Sequence, residues 1–108
     1  MKLDSYISQI EFIDIYVGED CETTTLYFSA PKEMLDGVYP EAEFMTISVE
    51  FPTDYPEASE ASVEYSPTKH DDEDDSYTYY DWFDISMSYE DIEKLFDMYR
   101  KWLDKKGE

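Results

Sequence analysis

Residues 43–51 read EFMTISVEF, and from Met45 onward every second one is apolar: Met45, Ile47, Val49 and Phe51 alternate with Thr46, Ser48 and Glu50. Successive side chains of a β-strand point to opposite sides of the pleat, so a period of two predicts a strand with one face in a core and the other in water. A strand of that kind needs antiparallel neighbours, and the chain supplies them on both sides.

Upstream, residues 23–30 (TTTLYFSA) turn Leu26, Phe28 and Ala30 inward and Thr25, Tyr27 and Ser29 outward. Residues 10–17 (IEFIDIYV) are rich in β-branched and aromatic side chains, which predicts a further strand with Ile13, Ile15 and Val17 on one face. Gly18, Glu19 and Asp20 then mark a hairpin turn. Leu3, Tyr6, Ile7 and Ile10 recur at helical spacing, so residues 2–9 are expected to form a short helix or the start of one long strand. Pro31 and Gly37 bound a helical turn or a structured loop.

Downstream, Pro52 and Pro56 bracket a loop, and Ala61, Val63 and Tyr65 alternate in a shorter strand expected to end at Pro67. Residues 77–87 predict the last strand, with Tyr79, Phe83, Ile85 and Met87 inward and Tyr80, Trp82 and Asp84 opposite. The period then changes: after a Ser88 N-cap, Ile92, Leu95, Phe96, Tyr99, Trp102 and Leu103 form an apolar stripe at helical spacing. Glu90 and Asp91 stand at the positive end of that helix dipole, and Lys101, Lys105 and Lys106 at the negative end. The predicted fold is α+β: a single domain over residues 1–108, an antiparallel β-sheet of about five strands with a C-terminal amphipathic helix packed on one face. The other face is left free.

Charge sets the function classes. The chain carries 28 Asp and Glu against eight Lys and Arg, a formal net charge of -20, yet its 42% apolar and 18% aromatic content supplies enough surface to bury. Residues 1–87 hold 22 of the acids and only Lys2, Lys32 and Lys69, whereas residues 88–108 are nearly balanced, with six acids and five bases. Self-repulsion of this size lowers the stability of a compact domain that has only about 5–15 kcal/mol to lose, which argues for a use. An acidic surface opposes direct binding to nucleic acid or anionic membranes, and predicts basic partners. Cys21 is the lone cysteine and no stretch resembles a membrane span or a signal h-region, so a cytoplasmic protein is expected.

Catalysis finds little footing. His70 and Cys21 are both flanked by acids, and neighbouring negative charge opposes a reactive thiolate. No catalytic triad order, phosphate loop or His/Cys metal spacing is present, so neither enzyme activity nor a cofactor is expected. Asp71, Glu73 and Asp75 alternate like the first ligands of a Ca²⁺ loop, but the glycine such a loop needs at its sixth position is missing.

The candidate contact residues are therefore the acids with aromatics beside them. Asp71, Asp72, Glu73, Asp74 and Asp75 form an unbroken run, followed by Asp81 and Asp84 among Tyr77, Tyr79, Tyr80 and Trp82, with Glu57, Glu60 and Glu64 in the preceding loop and strand. Same-face carboxylates on a strand repeat at about 6.6 Å and can imitate a row of phosphates. Tyr77, Tyr79, Tyr80 and Trp82 would add contact area of the kind enriched at interface centres, with Tyr80 and Trp82 on the face of Asp84 and Tyr79 on the core face with Phe83. In size, acidity and aromatic content the chain resembles the DNA-mimic inhibitors that phages and mobile elements make against restriction, CRISPR and repair enzymes. The resemblance implies an inhibitor occupying the nucleic-acid site of a basic nuclease or defence effector. An antitoxin or immunity protein against a basic toxin would share the electrostatics. A second, local resemblance lies in residues 36–65, where Phe51, Pro52, Tyr55 and Pro56 look like the strand-to-turn motif of ubiquitin-conjugating cores and RWD domains. Without the family's catalytic motif it implies a non-catalytic interaction module.

Overall fold

A computed structural model describes residues 7–34 and 41–106. The segment expected to be a helix over residues 2–9 lies outside them apart from a 3₁₀ turn at Ile7–Gln9, and so does the end of the loop after Pro31 beyond a 3₁₀ turn at Lys32–Met34. The alternating segments form a curled antiparallel meander: β1 (Glu11–Val17), β2 (Thr23–Pro31), β3 (Phe44–Pro52), β4 (Ser62–Asp71) and β5 (Ser76–Tyr79), hydrogen-bonded in that order. A two-residue β6 (Phe83–Asp84) also pairs with β4. One helix, α1 (Tyr89–Lys106), completes the α+β fold.

The core lies between one sheet face and α1. Leu26, Phe28, Met45, Ile47 and Val49 from β2 and β3 are fully or almost fully buried, and meet Ile92, Leu95 and Phe96 of the helix. Phe51 packs edge-on against Phe96 at 5.2 Å between ring centres. Ser88 caps the helix, its Oγ accepting from the Asp91 amide at 3.2 Å and its carbonyl from the Ile92 amide at 3.0 Å. The stripe fades toward the C-terminus, where Trp102 is held against Phe12 at 4.8 Å but Leu103 is 43% exposed.

The simple alternation misplaces some residues in three strands. In β1 the register shifts between Phe12 and Asp14, a bulge that leaves Ile13 44% exposed and sends Phe12 and Ile15 to the core. In β4 the strand does not stop at Pro67 but continues to Asp71. A strand residue presents its N–H and C=O to the same neighbour, and the Pro67 carbonyl accepts from the Tyr80 amide at 3.0 Å. Its missing donor therefore faces residues 80–82, where β5 has ended and β6 has not begun. There the last strand carries an extra residue: Tyr79 pairs with Thr68 but Phe83 with Tyr65, four steps against three. Parity flips across this gap. Phe83 stacks on Tyr65 beside the core, whereas Tyr79, expected inside, stands 43% exposed on the opposite face.

Candidate functional site

The sheet face away from α1 is acidic at its edges and aromatic along one side. Registers place Asp14, Tyr27, Ser48, Glu64 and Asp84 in one row across five strands, and Tyr16, Thr25, Glu50 and Ser62 in the next. Glu64 and Asp84 are directly opposed, an arrangement of like charges that destabilises a sheet. Five bases and five acids balance each other along α1, so the negative field belongs to the sheet and its loops.

Beneath the aromatics runs a buried layer of hydroxyls. Thr68 Oγ1 donates to the Ser66 carbonyl at 2.9 Å, which leaves Thr46 Oγ1 as donor in its 2.8 Å bond to Thr68. All three residues are buried although no helix among the described residues covers this face. The cover is a ribbon of rings: Phe44 against Tyr77 at 6.2 Å, Tyr77 on Tyr79 at 6.4 Å and Tyr79 on Trp82 at 5.3 Å. Burial raises the Tyr79 hydroxyl pKa, with Tyr27, Tyr77 and Asp14 adding to it. The Tyr27 hydroxyl is raised first by burial and then by Glu50, Asp14 and Tyr16. Asp14, on the β1 edge, thus acts on rings from both β2 and β5, a consequence of the curl.

The acidic run forms the β4–β5 hairpin, and much of it is tied internally. His70 bridges it, with Nδ1 2.9 Å from Asp72 and Nε2 2.8 Å from Asp75. Asp71 accepts from the Glu73 amide at 2.9 Å, and Asp74 from the Ser76 hydroxyl at 2.6 Å. These bonds to Asp75 and Asp72, opposed by some desolvation, raise the His70 pKa above its ordinary value. Among the described residues no group of three or more His, Cys, Asp or Glu is placed to hold a metal ion.

The acids singled out in the sequence therefore occupy four places. Glu64, Asp84 and Trp82 share the open face, where Trp82 and Glu64 border one hollow. Asp71, Asp72, Glu73, Asp74 and Asp75 lie at one end of β4, all exposed. Glu57 precedes and Glu60 ends a 3₁₀ turn (Ala58–Glu60) at the other end, where Glu57 shares a shallow depression with Tyr89, Glu90 and Glu93 of the helix. Tyr80 is half-buried and Asp81 exposed in the β5–β6 link. Asp14, Glu50 and Tyr27 belong to the open face and were not collected from the sequence, where the outward parity of Tyr27 and Glu50 on their strands was the available signal; Tyr79 also belongs to it, although the sequence places it inward.

No helix among the described residues is long and apolar enough to cross a membrane. Comparison with protein-family models, curated proteins and solved structures finds no match to this chain.

Proposed function

We propose that this protein is an acidic mimic of nucleic acid that blocks the polyanion-binding groove of a basic partner, without catalysis of its own. The observation that supports it best is the sheet face opposite α1, where Asp14, Glu50, Glu64 and Asp84 are held on strands rather than on loops. Strand-borne carboxylates are fixed in spacing, as phosphates are, and Glu64 opposite Asp84 is a costly placement that folding alone does not call for. The hairpin of residues 71–75 extends the negative field beyond one end of that face. Association would then be steered by charge and would weaken steeply with salt.

The test is affinity capture at low and high salt with the wild type and with Asp14→Asn/Glu50→Gln/Glu64→Gln/Asp84→Asn. The reading expects nucleic-acid-binding proteins to be retained at low salt, released by added duplex DNA and lost with the quadruple variant. Retention indifferent to salt, DNA and the four substitutions would remove it.

A further inference from the structure

The open face contains a hollow of about 260 Å³, and its lining is specific. Its lining consists of the hydroxyl residues Thr25, Ser48 and Ser62, the carboxylate residues Glu50 and Glu64, and the aromatic residues Tyr27 and Trp82. Register places Glu50 opposite Ser62 and Glu64 opposite Ser48, so the two acids sit on a diagonal of neighbouring strands, about 7–8 Å apart at their backbones. Thr25 is nine-tenths buried and lines the hollow. Five oxygen-bearing side chains and two aromatic ones thus border one space.

We propose that this hollow seats an arginine side chain of the partner. A guanidinium is planar, offers five N–H donors in a fixed fork and stacks on aromatic rings, so it can meet two carboxylates and Trp82 together. A lysine ammonium is a compact point charge that gains the Coulomb attraction but neither the fork nor the stacking. The negative field is already felt inside the face, since Glu50 and Asp14 both help to raise the Tyr27 hydroxyl pKa. The seat deepens the nucleic-acid-mimic reading: an arginine that would contact phosphate in a partner's groove finds carboxylates and a ring in its place.

The test uses the full chain and N-acetyl-arginine amide, following the Trp82 indole N–H by nuclear magnetic resonance. A saturable shift is expected. N-acetyl-lysine amide should bind at least several-fold more weakly, and free L-arginine no better than the blocked form. Glu50→Gln/Glu64→Gln should abolish the shift while the rest of the spectrum stays folded; Trp82→Leu, at an exposed position, is the second variant and should weaken binding read at the Glu64 amide. No saturable shift, equal binding of lysine, tighter binding of free arginine, or a shift unchanged in the double variant would each overturn the seat. The outcomes separate from those of the broader reading. DNA displacement without arginine binding removes the seat alone, whereas arginine binding without DNA displacement removes the mimicry alone.

Discussion

Single residues carry strain that the fold tolerates. Glu64 faces Asp84 across β4 and β6, and neutralising one of them as Glu64→Gln should raise stability by about 0.2–1 kcal/mol in urea unfolding; a loss would mean that the carboxylates are held apart by the curl. Cys21 sits at φ 60 in the β1–β2 turn, a left-handed conformation in which its Cβ is unfavourable. Cys21→Gly should therefore stabilise by about 1 kcal/mol, and a destabilised variant would show that the turn relaxes in solution. His70 gives the chain a pH response at the acidic hairpin. Its pKa is raised in the fold, so its contribution is fully present below the unfolded value of about 6.5 and disappears as pH rises through the higher folded value. A proton titration followed at the His70 ring should show a pKa that falls in Asp72→Asn/Asp75→Asn, and amide protection in residues 71–75, corrected for the base-catalysed intrinsic rate, should be lower at pH 8 than at pH 6. An unaltered titration would mean that the two bridges do not persist.

At the scale of elements, alternation and capping decide most of the fold, and the reversed faces have one cause. β2, β3 and α1 were legible because Leu26, Phe28, Met45, Ile47 and Val49 keep strict parity and Ile92, Leu95 and Phe96 keep helical spacing. The misplaced residues, Ile13 and Tyr79, lie at a bulge or just before one, where one extra residue reverses which side chains face the core. A bulge has no composition of its own. Pro67 was the available clue to the second, because a proline within a strand must turn its missing donor toward a gap. That shift also explains why the open face was only partly readable: Trp82 and Asp84 were placed correctly, but Tyr79 joins them only after parity flips. Ser88→Ala should cost about 0.5–2 kcal/mol through loss of the helix cap, and Leu95→Ala, fully buried between helix and sheet, about 2–5 kcal/mol. Chemical denaturation measures both, and equal costs would contradict the assignment of α1 as the lid of the core.

The whole molecule is electrically lopsided, with a balanced helix on one side and, on the other, a sheet whose face and ends carry most of a net charge of -20. The imbalance was visible in the sequence, but its distribution over the open face and both ends of the sheet depends on the registers. Salt screens self-repulsion, so the melting temperature should rise between low and moderate ionic strength, while any complex with a basic partner should weaken over the same range. The two opposite trends separate stability from recognition. The measurement that addresses recognition most directly is displacement: a partner retained at low salt is loaded with fluorescent duplex DNA, and this protein is titrated in while anisotropy is followed. Release of the DNA at one molar equivalent, absent with Asp14→Asn/Glu50→Gln/Glu64→Gln/Asp84→Asn, is the predicted result; DNA that stays bound while this protein adds to the complex would contradict it.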